Sequence, residues 1–292
     1  MSLSNSTAKQ HSELQTSLQP RVYFVPLTAL SDAQFKAWLE LGWLENDEIQ
    51  KVLRYKLPLA QQKALQVRLA LRVILSLQSQ ANSLAIRPQD WQFEYAEKGK
   101  PSLSHAFKVK TGLHFNLSHS GDWLMVGVLS SFTHVIEPHA ISHELMLGVD
   151  IERLRSNTNI EPILKHYFTA QEIADLLVLT SDLQRERFFD LWALKEAFIK
   201  AIGKGLAQPL SSFRFLFTDN KVVNKEAQTL VLTEQGMINF IPPEPYQQPW
   251  HIEFGRLNKA YRFALCINCV SADIKTPIIT ESSLAHLLAN NE

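Results

Sequence analysis

The sequence predicts an α+β fold made of two similar halves. The first half reads as strand, helices, strand and hairpin, with segments at residues 22–27, 48–57, 61–77, 91–95, 113–117 and 124–129. The second half repeats this order at residues 145–151, 162–167, 170–178, 188–202, 213–217, 250–254 and 261–270. This repetition indicates an internal duplication with a pseudo-twofold axis. Ligand sites often lie where such halves meet.

Proline, glycine and turn residues mark the boundaries of the predicted segments. Pro58 separates the first two helices, because proline cannot continue a helix from its interior. The turn sequence SHSGD, residues 118–122, joins the two hairpin strands of the first half. Gly203 and Gly205 end the helix at 188–202, since glycine readily adopts the conformation that terminates helices.

The composition allows two units of ordinary size. The chain has 292 residues, of which 46% are hydrophobic and 20% charged, so a normal core is expected without a structural metal or disulfide. The predicted organisation is a disordered polar tail at 1–20, an N-terminal half at 21–129, a polar linker at 130–144, a C-terminal half at 145–272 and a C-terminal tail at 273–292.

The charge balance argues against nucleic-acid binding. Lysine plus arginine and aspartate plus glutamate each number 29, whereas general nucleic-acid binders carry a basic excess. The first residues lack the apolar segment of a signal peptide, and the longest apolar run, 124–129, is too short to span a membrane. We therefore expect a cytoplasmic protein without membrane association.

Two groups of potential metal ligands are more simply explained by ordinary structural roles. His134, His139 and His143 lie in the polar linker, but their spacing forms no tight ligand pattern, so a solvated linker is favoured over a metal site. Cys266 and Cys269 form a C-x-x-C pair that redox or zinc chemistry would use. Strand packing is favoured for them, because positions i and i+3 of a strand face opposite ways and no second pair completes a zinc site.

The strand around residues 147–152 carries two carboxylates on one face. Side chains alternate along a strand, so Asp150 and Glu152 point away from the apolar residues between them. Adjacent carboxylates repel unless a cation or water separates them, and hard oxygen ligands suit Mg²⁺. The alternative is an ordinary exposed strand face.

The helix at 188–202 carries charges beside its apolar face. At about 100° per residue, this face contains Phe188, Leu191, Trp192, Phe198, Ile199 and Ile202. Lys195 falls within it, and Glu196 and Lys200 lie at its edge as i,i+4 neighbours. A carboxylate beside ammonium groups suits general-base and phosphate-binding chemistry. The alternative is a surface Glu–Lys pair with Lys195 extending its amine to solvent.

The segment 115–121 places a hydroxyl and an imidazole where a strand enters a turn. Ser118, His119 and free backbone N–H groups there can hold phosphate oxygens. Ser118, His119 and Asp122 do not form a hydrolase triad, because near-adjacent residues of one turn rarely reach each other in that geometry.

Together these segments resemble a known family. The strings FNLSHS at 115–120, GVDIE at 148–152 and WALKEAFIK at 192–200 resemble, in order and spacing, the three signature motifs of the 4′-phosphopantetheinyl transferases. KGKP at 98–101 and RY at 54–55 are also similar to family positions. The likeness is to the larger, surfactin-synthetase-activating (Sfp-like) type, a monomer built from two similar α+β halves.

The resemblance implies an activity and a set of site residues. The expected enzyme, a holo-[acyl-carrier-protein] synthase, transfers the 4′-phosphopantetheine arm of coenzyme A to a serine of an acyl or peptidyl carrier protein. It implies that Mg²⁺ binds Asp150, Glu152 and Glu196, that Ser118, His119 and Lys200 contact the phosphates, and that Lys51, Arg54 and Lys100 bind the adenosine and 3′-phosphate end. Glu196 is the candidate base for the carrier serine, and Lys200 stabilises the leaving phosphate.

Two other functions remain alternatives at this point. A metal-dependent hydrolase would cleave the coenzyme A pyrophosphate with water as acceptor, and a carrier-protein binder would need no catalysis. The intact set of Asp150, Glu152, Glu196 and Lys200 argues against a mere binder. The linker at 130–144 follows the phosphate-binding hairpin, so it is also a candidate for part of the carrier docking surface.

Overall fold

The protein has an α+β fold, as predicted. The computed structural model describes residues 17–131, 145–218, 230–233, 237–269 and 273–290. Most of the polar tail at 1–20 and residues 132–144 of the linker, with its three histidines, lie outside the described residues. The interpretations of these segments therefore stay predictions.

Helices and strands follow the predicted order, with additions. The helices are α1 (Asp32–Leu39), α2 (Asn46–Leu53), α3 (Pro58–Ala81), α4 (His105–Thr111), α5 (Glu161–Tyr167), α6 (Ala170–Leu177), α7 (Ser181–Ile202) and α8 (Leu284–Ala289). The strands are β1 (Ser17–Leu18), β2 (Arg21–Pro26), β3 (Phe93–Tyr95), β4 (Pro101–Leu103), β5 (Leu113–Ser120), β6 (Trp123–Ser130), β7 (Met146–Arg153), β8 (Arg214–Phe217), β9 (Val231–Leu232), β10 (Ile238–Ile241), β11 (His251–Asn258), β12 (Tyr261–Asn268), β13 (Asp273–Ile274) and β14 (Ile278–Glu281). No helix in these ranges is long and apolar enough to cross a membrane.

Two four-stranded sheets form the framework. The first has the strand order β14-β2-β6-β5 and the second has the order β7-β12-β11-β9. The predicted hairpins are present as the antiparallel pairs β5–β6 and β11–β12. Strand β5 ends one sheet and β7 ends the other, and these two edge strands lie against each other.

Three apolar layers hold the sheets and helices together. One lies between the first sheet and α3, a second between the two sheets, and a third between the second sheet and α7. Alternation along β7 assigns Leu147, Val149 and Ile151 to the layer between the sheets, as predicted. The opposite face of β7, with Gly148 and Asp150, is therefore turned toward α7.

The C-terminal segment completes the N-terminal half. Residues 273–292, assigned to a tail from sequence, contain β13, β14 and α8 within the described range. Strand β14 pairs in parallel with β2, and Leu284 and Leu287 of α8 are buried in the core beside α3. Sequence reasoning missed this addition because its partners lie more than 200 residues earlier in the chain.

The structure contradicts the interpretation that Lys195 extends its amine to solvent. Its side chain does not reach solvent but is fully buried, with Nζ 3.0 Å from Glu172 Oε2. The ammonium also donates to the carbonyl oxygens of Leu210 and Phe213, each at 2.8 Å. Removing a charge from water costs free energy unless such partners replace the water. Lys195 therefore anchors α7 to α6 and to the segment before β8.

The cysteines have the packing role that was favoured. Cys266 lies fully buried on β12 in the layer beside α7, whereas Cys269 packs against the layer between the sheets. Burial raises the pKa of the Cys266 thiol, which keeps it protonated and unreactive.

Gly148 sets the distance between β7 and α7. A Cβ atom at this position would lie 2.0 Å from the carbonyl oxygen of Ala197 and 2.3 Å from the amide nitrogen of Ala201. Both atoms belong to the helix backbone, so no side-chain movement can make room. The missing side chain lets α7 approach the strand closely enough for their polar side chains to meet.

We predict that Gly148→Ala lowers the free energy of unfolding by about 1–3 kcal/mol or more, the usual cost of overpacking. Gly42→Ala serves as the control, because Gly42 has open space around it, and only the strain of its positive φ, about 1–2 kcal/mol, is expected there. Urea unfolding of both variants measures the difference. Equal losses would show that the close approach is unimportant.

Candidate functional site

A three-way contact joins the three sequence motifs. The ammonium of Lys200, on α7, lies 2.6 Å from Oδ1 of Asp150 on β7 and donates to Oγ of Ser118 on β5 at 2.7 Å. The Ser118 hydroxyl in turn donates to Asp150 Oδ1 at 2.7 Å. The Asp150 side chain is almost fully buried, whereas that of Lys200 is 29% exposed. The site therefore lies where both sheets and α7 meet.

This contact also settles the alternative role of Lys200. A surface pair with Glu196 was one interpretation of their i,i+4 spacing, but the ammonium reaches Asp150 and Ser118 across the strand. Asp150 likewise does not sit on an ordinary exposed strand face, because α7 covers it.

Two further carboxylates surround Asp150. Burial, the charge of Asp150 and the charge of Glu152 raise the pKa of Glu196 to about 7, although Lys200 opposes the shift. Burial and the charge of Asp150 also raise the pKa of Glu152. The charge of Asp150 therefore makes the ionised forms of Glu152 and Glu196 less favourable.

His119 lies on the cationic side of the same hairpin. Its side chain is exposed, but the surrounding protein still removes part of its solvent, and this is the main effect that lowers its pKa. The charges of Lys200, Lys63 and Arg68 lower the pKa of His119 further. Lys63, on α3, donates to the carbonyl oxygen of Gly121 at 2.6 Å and contacts Asp122 at 2.8 Å. An uncharged imidazole among cations suits an anionic ligand.

Lys100, in the turn between β3 and β4, lies beside the C-terminal end of α7. Its ammonium donates to the carbonyl oxygens of Ala201 at 3.1 Å and Leu147 at 3.2 Å. Leu147 is only three residues before Asp150 on β7. The turn between β3 and β4 therefore brings a cation from the N-terminal half to the edge of the site.

Lys51 and Arg54 lie on and just after α2, farther from Asp150. Lys51 pairs with Asp47 at 2.9 Å, and its ammonium lies 4.7 Å from the ring centre of Tyr95. The charge of Arg68 acts on both Lys51 and His119, so α3 links the two regions. Arg54 is exposed, and no contact among the described residues brings it to the other candidates.

Sequence reasoning missed four polar side chains near the site: Lys63, Arg68, Asn116 and Ser120. Asn116, Ser118 and Ser120 recur at every second position of β5, which places them on one face of the strand. This spacing was the available signal. Their partners on β7 could not be read from sequence, because the two edge strands belong to different sheets.

The carboxylates fit a hard cation. Asp150 Oδ2 is buried and accepts no hydrogen bond from any residue in the described ranges. Together with Asp150, the neighbouring carboxylates of Glu152 and Glu196 supply the oxygen ligands that Mg²⁺ prefers. Within the described part of the chain, however, no three such side chains are already gathered in a ligating arrangement. Ion binding would need the side chains to move.

The arrangement is chemically suited to a phosphate-bearing substrate. It combines a carboxylate group able to hold a divalent cation with a lysine, a serine hydroxyl and an imidazole. Phosphoryl transfer needs such positioning and charge stabilisation rather than a reactive protein nucleophile.

Comparison with known proteins agrees with this class. A model of the 4′-phosphopantetheinyl transferase superfamily matches residues 146–266. A second model, described as the N-terminal part of 4′-phosphopantetheinyl transferase, matches residues 31–131. The two matches together include every predicted site residue.

Individual relatives support the same assignment. The putative 4′-phosphopantetheinyl transferase slr0495 of Synechocystis is 30% identical over 193 residues, covering 66% of this chain and 68% of the relative. The Bacillus subtilis transferases ffp and Sfp are 32% and 30% identical over 195 residues, covering 67% of this chain and 69% of each relative. The chain belongs to the 4′-phosphopantetheinyl transferase family, and the predicted Sfp-like type is confirmed.

We predict that Glu196 makes stability depend on pH when metal is removed with EDTA. Its pKa rises from 4.5 to about 7 on folding, so between these values the folded protein binds the proton more strongly than the unfolded chain. Its contribution to the free energy of unfolding therefore falls as pH rises through this window and stays low above it.

Urea unfolding of wild type and Glu196→Gln from about pH 5 to about pH 8 isolates this contribution. The variant should gain stability relative to wild type as pH rises. A constant difference across the window would contradict the raised pKa.

Proposed function

We propose that this protein transfers 4′-phosphopantetheine from coenzyme A to a serine of an acyl or peptidyl carrier protein. The carrier serine oxygen forms a bond to the β-phosphate of coenzyme A. The bond to the α-phosphate breaks, and 3′,5′-bisphosphoadenosine leaves. The observation that carries the proposal is the contact of Lys200, Ser118 and Asp150, which unites the three family motifs beside Glu196.

Glu196 is the proposed general base. A base works best when its pKa lies near the operating pH, and without a metal ion the pKa of Glu196 is raised to about 7. A bound cation would lower this pKa. It would accept the proton of the carrier serine hydroxyl, directly or through a water molecule. The carboxylate is partly buried and lies one helical turn from Lys200, so acid–base and phosphate-binding groups share one helix face.

Lys200, Ser118 and His119 are the proposed phosphate ligands. Lys200 is partly exposed and already held at the site by two hydrogen bonds. Its ammonium can stabilise the negative charge that develops on the leaving phosphate. Ser118 and His119 are neighbours near the hairpin end of β5, and because strand side chains alternate they face opposite sides of the strand. Each would donate a hydrogen bond to phosphate oxygens from its own side.

Asp150, Glu152 and Glu196 are the proposed ligands of Mg²⁺. When bound, this ion would neutralise charge on the pyrophosphate of coenzyme A and make it easier to attack. The unpaired buried oxygen of Asp150 and the mutual repulsion of the three carboxylates support this assignment.

Lys100, Lys51 and Arg54 are proposed to bind the adenosine and 3′-phosphate end. Lys100 lies beside the C-terminal end of α7. The charge of Arg68 acts on both Lys51 and His119, so the region of Lys51 lies on the same side of the protein as the hairpin. These cations could receive an extended anionic ligand that begins at Lys200. Arg54 is assigned from the resemblance and from its exposure near Lys51 in the chain.

Several finer statements belong to the same proposal. We infer a holo-[acyl-carrier-protein] synthase that acts as a cytoplasmic monomer and whose halves arose by duplication. The corresponding strand orders β2-β6-β5 and β7-β12-β11 support a pseudo-twofold relation. Hydrolysis of coenzyme A by water is not favoured, because the relatives that cover most of this chain are named as transferases.

Transfer is tested by mass spectrometry of an apo carrier protein incubated with the enzyme, coenzyme A and Mg²⁺. The carrier should gain the mass of phosphopantetheine, and Glu196→Gln should slow this gain by at least about 10²-fold, the scale of acid–base catalysis. Glu40→Gln, an exposed change on the other half, is the matched control. Release of phosphopantetheine without carrier modification would support the hydrolase instead. Near-normal transfer by Glu196→Gln would remove its assignment as base.

Neighbouring positions of β7 separate chemistry from packing. We predict that Asp150→Ala abolishes Mg²⁺-dependent transfer and leaves the fold intact. Leu147→Ala should instead cost about 2–5 kcal/mol of stability, because this side chain is buried between the sheets. Transfer rates and thermal melting of both variants give the comparison. If Asp150→Ala mainly lowers the melting temperature, the carboxylate is structural.

A further inference from the structure

Side chains of β5 hold β7 beside β5. Among the described strands, β7 pairs with β12 along one side only. Every second N–H group of β7 therefore points to the unpaired side and needs a different partner. Buried N–H groups left without a partner cost about 1–3 kcal/mol each. Side chains of β5, rather than backbone carbonyls, supply two of these partners.

Asn116 provides the first partner. Its side-chain oxygen accepts a hydrogen bond from the N–H of Val149 at 2.8 Å, and both residues are buried. This bond lies immediately before Asp150 in the chain. It fixes the position of β7 along β5 at the residue that precedes the proposed metal ligand.

Ser120 provides the second partner and also touches a carboxylate. Its hydroxyl oxygen accepts a hydrogen bond from the N–H of Arg153 at 3.1 Å. The same hydroxyl donates to Oε2 of Glu152 at 3.1 Å. Ser120 is buried, so its proton is directed to Glu152 rather than shared with solvent. One side chain therefore fixes both the backbone and the carboxylate orientation of β7.

These contacts enclose the site from both ends. Asn116 and Ser120 lie on either side of Ser118, which contacts Asp150 and Lys200. Ser118 meets the groups proposed to bind phosphate, whereas the hydroxyl of Ser120, as far as the described residues go, bonds to the strand that carries the carboxylates. Its position favours an indirect effect through Glu152.

We propose that Ser120 is a positioning residue that holds Glu152 in the orientation needed to bind the divalent cation. This inference rests on the proposed function, since it takes Glu152 as a metal ligand. Partners that orient metal ligands commonly contribute about 10-fold to 100-fold in metal affinity. Ser120→Ala should lose this contribution while Asp150, Glu196 and Lys200 remain.

The test measures Mn²⁺ affinity of the full-length protein by electron paramagnetic resonance, without coenzyme A or carrier. Wild type should bind Mn²⁺, and Asp150→Ala should not. Ser120→Ala should weaken binding about 10-fold, whereas Ser120→Thr, which keeps the hydroxyl, should restore most of it. Ser130→Ala is the matched control, because Ser130 lies at the opposite end of the same hairpin and contacts Asn82.

Each result decides a separate point. Wild-type affinity in Ser120→Ala would overturn the positioning role and leave the proposed transferase untouched. Equal weakening by Ser120→Ala and Ser130→Ala would also overturn it, because general loosening of the hairpin would then suffice. Mn²⁺ binding that survives Asp150→Ala would overturn both the metal site and this inference, while the mass-spectrometric transfer assay would still judge the proposed activity.

Discussion

The contact between Lys200, Asp150 and Ser118 is the interaction on which the site depends. It joins a helix and a strand of the C-terminal half to a strand of the N-terminal half. Asp150 is nearly buried, and a buried carboxylate is costly unless charges and hydrogen bonds replace its water. Lys200 and Ser118 supply these on one carboxylate oxygen, which leaves the other available for a cation. Separation of the halves would therefore dismantle the site.

The surrounding packing serves this contact. Gly148 permits the close approach of α7, while Lys195 fixes the same helix through a buried ion pair with Glu172. Because these two anchors act on opposite faces of α7, the positions of Glu196 and Lys200 are set from both sides. Rigid elements of this kind hold reactive groups more accurately than loops do. The proposed base and phosphate ligand thus owe their placement to residues that carry no chemistry themselves.

Local patterns made much of this predictable from sequence. Alternation assigned Asp150 to one face of β7 and Leu147 to the other, and helical spacing placed Glu196 and Lys200 together. What could not be predicted depends on contacts distant in the chain. Examples are the pairing of β14 with β2, the partners of Lys195 and the hydrogen bonds of Ser120 to β7. The family resemblance supplied roles for individual residues, but the geometry supplied the reason that three separate motifs act as one site.

We propose that the carboxylates of β7 and α7 form one cation site at the meeting of the two halves. An anomalous difference map from crystals grown with coenzyme A and Mn²⁺ tests it most directly. The account predicts a single strong peak among Asp150, Glu152 and Glu196, in contact with the coenzyme A pyrophosphate. A peak elsewhere on the protein, or a pyrophosphate bound away from Lys200 and Ser118, would contradict it.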